Sequence, residues 1–302
     1  MLEYNAFKDE IINRIREILG GDPTIEFKTI CKVNDEPYEG MVIKTEPEIT
    51  FPVEAWFMDY YNQYQTIEQI VKRIRSRLQK ELSEALNNIR YLSDPNIAKG
   101  NIFMKILNYD KNEQWLHFHP YRKYLDLVIV YYIGVIDENG DMHTLNITYD
   151  MMQKFELDEE ELYSLAAKNC KEKLRPRIWS LAQMFPEIVH KMSTDMDEVT
   201  EAGIEALKNM YVLSNSHVIL GAVAMLYEGV LEDFAAKIGG NILILPSSIH
   251  EVILITDSGM DIKFLQELVR RINRQILEAN EVLGENIYVY DKTTREIKIR
   301  AA

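Results

Sequence analysis

The sequence predicts an α+β fold: repeated hairpin-plus-helix units forming mainly antiparallel sheets, with helices packed on one face. Two observations predict it. Paired apolar runs around a polar turn, followed by an amphipathic run, begin near residues 24, 125, 210 and 242. Hairpins favour antiparallel pairing, and helices laid on one face of such sheets give the α+β class. No Gly-x-Gly-x-x-Gly follows a strand pattern, which removes the dinucleotide-binding βαβ alternative. The units share no residue motif, so they are not a sequence repeat.

The elements follow in order. Tyr4–Leu19 reads as a helix, because Phe7, Ile11, Ile15 and Ile18 recur at three- and four-residue spacing. Gly20-Gly21-Asp22-Pro23 stops it. Thr24–Val33 and Tyr38–Lys44 form a hairpin around Asn34-Asp35-Glu36-Pro37. Phe51–Gln65 places Trp56, Tyr60 and Tyr64 on one helix face, a core stripe in preference to a base-stacking surface. Thr66–Arg90 is a long helix with Ile67, Ile70, Val71, Ile74, Leu78, Leu82, Ala85 and Ile89 on its apolar face. Ser93-Asp94-Pro95 breaks it, and Asn96–Glu113 reads as a mixed segment.

Leu125–Val135 reads as a buried strand that turns at Asp137–Asp141 and returns as Met142–Thr148. Asp158–Lys173 and Pro176–Met192 read as helices, and Ser193–Thr200 as an acidic linker. Met210–Ser214 and Val218–Met225 read as a hairpin around Asn215-Ser216-His217. Glu228–Ile238 is a helix ended by Gly239-Gly240. Ile242–Leu245 and Ile249–Thr256 pair next, followed by the helix Asp261–Leu277. Ile287–Tyr290 and Glu296–Ile299 close the chain as a hairpin. The expected organisation is an N-terminal region 1–195 and a C-terminal region 205–302, with one integrated domain as the alternative.

Composition bounds the function. The chain has 302 residues, 47% hydrophobic and 27% charged, enough for a sizeable core. Its 34 basic and 48 acidic residues give a net charge of −14, the opposite of the balance that wraps nucleic acid. Two distant cysteines, Cys31 and Cys170, exclude a disulfide framework and read as buried small apolar residues. Met1–Leu19 lacks the apolar centre of a secretory signal, and no run approaches the ~18 residues of a membrane span. A cytoplasmic protein without a membrane role is expected.

Several stretches resemble a known family when taken together and in order. They include Thr29–Asn34, Tyr60-Tyr61-Asn62-Gln63-Tyr64, Leu107–Asn112 and Pro120-Tyr121-Arg122. Further on come Glu160–Asn169, Gly221–Leu231 and, most distinctive, Leu245–Val252. The chain is similar to a family from Clostridia-type bacteria catalogued as domain of unknown function 5688. The resemblance implies a shared fold and carries no reaction, cofactor or catalytic residue. His117 and His119 stand where that resemblance expects no histidine.

Candidate chemistry concentrates in Leu245–Val252. Ser247 or Ser248 supplies a hydroxyl, His250 a base and Glu251 a carboxylate, the ingredients of a hydrolase. On a strand His250 and Glu251 would point to opposite faces, and no Gly-x-Ser-x-Gly elbow is present. The competing reading is a polar network that fixes a turn. His117 and His119, two apart on a strand, could share a zinc ion given a third ligand. Arg73, Arg77 and Lys80 form a basic stripe, and Tyr121 and Arg122 join them as candidate ligand or phosphate contacts. Glu68, Glu81 and Glu84 beside that stripe mark a solvated face instead. No Walker loop, kinase set or other cofactor motif occurs. The sequence therefore favours a binding or accessory protein for a protein partner or small ligand. The alternatives are a hydrolase, at the turn or at a His117/His119 metal site, and a nucleic-acid-associated protein acting through the basic face. Oligomeric state is not legible.

Overall fold

A computed structural model describes residues 1–44, 48–79, 94–136, 142–181, 210–259, 261–275 and 277–300. The fold is α+β, and every strand pairing among the described residues is antiparallel. The chain forms two compact units, Met1–Ala98 and Lys99–Ala302. The expected boundary between 195 and 205, the acidic linker and Lys80 lie outside the described residues. No described helix is long and apolar enough to cross a membrane.

In the first unit α1 (Tyr4–Leu19) ends as expected. Gly20 takes φ 69° and its N–H bonds the Arg16 carbonyl, a left-handed cap that glycine adopts without Cβ strain. The strands β1 (Ile25–Ile30) and β2 (Tyr38–Ile43) form the predicted hairpin, and a third strand, β3 (Ile49–Phe51), extends it. α2 (Val53–Tyr61) and α3 (67–79) follow. Phe7, Ile11 and Ile15 of α1 meet Met41, Ile43, Phe51, Trp56, Ile70 and Ile74 in one core. The aromatic stripe splits. Trp56 is buried and Tyr60 stacks on Phe7, but Tyr64 lies past the end of α2 and is 77% exposed. α4 (Pro95–Lys99) starts at the predicted Asp94-Pro95 break.

The second unit holds two sheets. The smaller contains β4 (Ile102–Asn108), β5 (Tyr121–Tyr124), β6 (Leu127–Ile136) and β7 (Met142–Asn146), with β6 paired to all three others. α5 (Tyr109–Leu116) and α6 (Tyr149–Lys154) flank it. α7 (Glu159–Lys173) starts with a capping box, Asp158 accepting from Glu161 N–H and Glu161 accepting from Asp158 N–H. The six-stranded sheet contains β8 (Pro176–Ser180), β9 (Met210–Asn215), β10 (Ile242–Leu245), β11 (Val252–Thr256), β12 (Tyr288–Asp291) and β13 (Glu296–Ile299). Its order is β13-β12-β10-β11-β9-β8. α8 (Val230–Ile238) follows a 3₁₀ turn at Gly221–Leu226. α9 (Ile262–Gln275) lays Leu265 and Val269 against Leu243, Leu245 and Ile255 of the sheet.

Three expectations are corrected. The mixed segment Asn96–Glu113 contains β4, whose first six residues are all buried. Lys105 interrupts its apolar run and hid the strand. Pro176–Ser180 is a strand and not the start of a helix, since Ile178 and Trp179 suit a pleated edge. The rest of that predicted helix from residue 182 lies outside the described residues. Val218–Met225 is not a strand. Val218 and Leu220 take φ of 55° and 52°, which breaks extended pairing, and the chain then winds into the 3₁₀ turn.

Candidate functional site

Residues 246–251 join β10 to β11, whose last pair is Leu245 with Ile253. They do not continue the strand, so the alternation expected for His250 and Glu251 does not apply. Ser248 organises the turn. Its Oγ accepts the N–H groups of His250 (3.0 Å) and Glu251 (3.3 Å) and donates to Glu251 Oε1 at 2.7 Å. Ser247 Oγ donates to the same oxygen at 3.3 Å. Serine hydroxyls at such positions satisfy backbone groups that the hairpin ladder cannot reach.

His250 serves a different neighbour. Its Nδ1 accepts the Leu220 N–H at 3.1 Å, so the ring proton sits on Nε2, 3.6 Å from Glu281 Oε1. The His250 carbonyl accepts Ser214 Oγ at 2.7 Å and Gly221 N–H at 3.0 Å. Ile249 donates its N–H to the Glu281 carbonyl at 2.9 Å. Gly221 has no room for a side chain. A Cβ there would stand 2.2 Å from Ser214 Oγ and 2.8 Å from the His250 carbonyl oxygen. Asn215 holds the intervening loop, accepting from His217 and Ile219 N–H and donating to the Ile219 carbonyl.

This geometry limits the chemistry. A serine nucleophile needs its proton aimed at a base, but Ser248 gives its proton to Glu251 and is 2% exposed. The lone-pair nitrogen of His250 is occupied by a backbone N–H. What the turn does is tie β9, the 218–222 loop and the segment around Glu281 to one hairpin. Ser214, Asn215, Leu220, Gly221 and Glu281 were not singled out by sequence, because their partners lie 30 or more residues away or are backbone atoms.

The other candidates separate. His117 and His119 lie beyond α5 and not on a strand. Each Nδ1 donates to a carbonyl of its own helix, Gln114 and Trp115, and His119 stacks on Trp115 at 3.6 Å. Burial lowers the His119 pKa, which disfavours its charged form. No metal-binding group of three His, Cys, Asp or Glu occurs among the described residues. Arg73 bonds Gln65 at 3.0 Å and lies 3.8 Å from Asp59, while Arg77 sits over the Phe51 ring. Both line a small cavity with Pro52, Trp56 and Ser76.

β4 has one edge that no strand pairs among the described residues, and α7 brings two buried polar groups to it. α7 covers that edge: Cys170 Sγ accepts Met104 N–H at 3.4 Å, and Asn169 Nδ2 donates to the carbonyls of Lys99 (2.9 Å) and Ile102 (2.8 Å). Burial pushes the Cys170 thiol up to about 11, which keeps it protonated. Lys105, 6% exposed, donates to Asn146 Oδ1 at 2.8 Å, and burial lowers its amine to about 8.

A groove of about 740 Å³ lies in the second unit. It collects the β5–β6 hairpin, α7, the junction before α8 and the β12–β13 hairpin. Tyr124, Tyr163, Tyr227 and Tyr290 supply aromatic surface, with Ile129, Leu231 and Ile297 between them. Of the sequence candidates, Arg122 lines it. Its guanidinium bonds Glu159 at 2.7 and 3.2 Å and Glu160 at 2.5 Å, and lies 4.0 Å over the Tyr163 ring. The Glu159 bond raises the Arg122 pKa further above its ordinary range. The other bases are paired too, Arg295 with Glu232 at 2.9 Å and Lys298 with Glu296 at 2.8 Å. Tyr121 instead sits beside Tyr109, with ring centroids 6.4 Å apart.

The groove rim carries backbone strain. Leu125 takes φ 56° at the β5–β6 turn, a left-handed conformation costly for a residue with a Cβ. Its neighbour Asp126 is anchored. Asp126 accepts Tyr288 Oη at 2.9 Å and Asn286 Nδ2 at 3.0 Å, and its carbonyl accepts Tyr109 N–H. Strain of order 1–3 kcal/mol persists only where surroundings over-determine it, and it clusters at ligand sites.

A family model described as "Family of unknown function (DUF5688)" matches residues 4–292. The chain belongs to this family. Within the DUF5688 match lie both units' cores, the turn at 245–252 and every part of the groove except residues 295–298. No curated protein and no solved structure matches the chain.

Proposed function

We propose that the protein acts by binding, as an accessory protein of the bacterial cytoplasm, and that its binding surface is the Tyr124–Tyr163–Tyr290 groove. The observation that carries this reading is the combination of size, aromatic lining and neutralised charge. A cleft of about 740 Å³ falls in the range of ligand sites. Tyrosine and arginine are the residues that most often anchor binding. Each lining base already holds a carboxylate, so the groove suits a ligand without strong net charge and disfavours a phosphate. The hydrolase reading at Ser248, His250 and Glu251 has less support, because serine and imidazole are each engaged elsewhere.

The test is a crystallographic soak with a cocktail of small aromatic and polyhydroxylated fragments. The binding reading expects fragments stacked on Tyr163 or Tyr290, and none in a Tyr163→Ala/Tyr290→Ala variant. Fragments that gather only at Ser248 and His250 would move the functional site to the turn.

A further inference from the structure

We infer that the groove takes an extended polypeptide segment of a partner protein, which pairs along the edge of β13 that no strand covers among the described residues. This rests on the binding reading above and names its ligand class. β13 is the terminal strand of the six-stranded order. Arg300 N–H bonds the Ile287 carbonyl at 2.8 Å, so residues 300, 298 and 296 are the hydrogen-bonded partners of β12. The intervening residues, Ile297 and Ile299, therefore turn their N–H and C=O groups away from β12.

The groove borders this strand. Residues 295, 296, 297 and 298 all line it. Arg295 belongs to the hairpin turn, and Glu296, Ile297 and Lys298 belong to β13. Side chains alternate between the two faces of a strand, so these three consecutive residues bring side chains of both faces to one cavity, as a strand that borders it along an edge does. An added strand would find backbone donors and acceptors there, and Tyr124, Tyr163 and Tyr290 beside them for its side chains. The four residues of β13 match a segment of about four to six residues at ~3.3 Å each.

Charge narrows the occupant. The lining bases Arg122, Arg295 and Lys298 are matched by Glu159, Glu232 and Glu296, which complements a segment of little net charge with apolar residues at alternate positions. Exposed Glu296 and Lys298 on a short strand also discourage indiscriminate pairing between copies of this chain.

The experiment pans a random heptapeptide phage library on the full-length protein and measures the selected peptides by calorimetry. Each is compared with a version N-methylated at alternate amides. Edge pairing expects N-methylation to weaken binding at least tenfold. Ile297→Pro, which removes an outward N–H and no ladder bond, is expected to lose as much, and Ile297→Val little. If Ile297→Pro does not fold, the methylated peptides still decide. Equal binding of methylated and unmethylated peptides overturns the pairing and leaves the binding reading intact. If panning selects nothing, the peptide inference fails, and the fragment soak decides separately whether the groove binds at all. A concentration-dependent dimer abolished by Ile297→Pro would assign the edge to a second copy and overturn the partner segment.

Discussion

Replacing Lys105 by methionine is expected to stabilise the protein at neutral pH, and the gain is expected to fade as pH rises. Lys105 is 6% exposed, with Asn146 Oδ1 at 2.8 Å and the Tyr132 ring centroid at 5.8 Å. Burial lowers its amine from 10.5 to about 8. The unfolded chain thus holds this proton more tightly than the folded one. Stability from this group therefore rises with pH between about 8 and 10.5, and the full penalty applies below 8. A shift of that size corresponds to about 3 kcal/mol at pH 7, falling to roughly 1.5 kcal/mol at pH 9.5. Methionine fills a similar volume and carries no charge, and Asn146 is only half-buried, so water can take the lost bond. Urea unfolding of both proteins at pH 7 and 9.5 is the assay. Lys105→Met is expected to be more stable by about 1–3 kcal/mol at pH 7, with the gap narrowing by about 2 kcal/mol at pH 9.5. A less stable variant at pH 7, or a gap independent of pH, refutes the desolvation argument.

Ser248→Ala is expected to cost about 2–3 kcal/mol by urea unfolding, because three hydrogen bonds meet on one buried oxygen, while Ser247→Ala costs under about 1 kcal/mol; equal costs would contradict the hub role. Gly221→Ala is expected to lower stability by about 2–4 kcal/mol, since its Cβ would clash with Ser214 and the backbone; a neutral effect in the same assay would show that the close approach is wrong. A fluorophosphonate probe is expected to leave Ser248 unlabelled in the native protein, and mass-spectrometric labelling there would revive the hydrolase reading. Native Cys170 is expected to resist iodoacetamide at pH 8, because its thiol sits at about 11 behind α7; rapid alkylation would place it at the surface.

Much of the fold was legible where local rules act alone. The period of Phe7, Ile11 and Ile15 and the Gly20 stop give α1 residue by residue. The hairpins β1–β2, β10–β11 and β12–β13 follow from apolar runs around polar turns. Legibility ends where tertiary contacts overrule composition. β4 is interrupted by a lysine that the fold buries, so its apolar run looks mixed. Val218–Met225 has strand composition, but Asn215 and the close approach at Gly221 bend it into left-handed and 3₁₀ backbone.

The candidate site divides along the same line. The turn at 245–252 announces itself, since its polar groups are adjacent in sequence. What those groups do depends on Leu220, Ser214 and Glu281, which no local pattern links to them. The groove is harder still. Arg122 was a candidate by sequence, but Tyr163, Tyr290 and Ile297 come from three other segments, and each of those reads alone as an ordinary surface or strand residue. Only strand order shows that β13 ends a sheet beside them.

Residue-by-residue amide hydrogen exchange, with and without the tightest selected peptide, tests the central claim most directly. Binding in the groove along β13 predicts slowed exchange at the Ile297 and Ile299 amides and little change at residues 246–251. Unchanged exchange at Ile297 and Ile299, with new protection at Ser248 and His250, would contradict it.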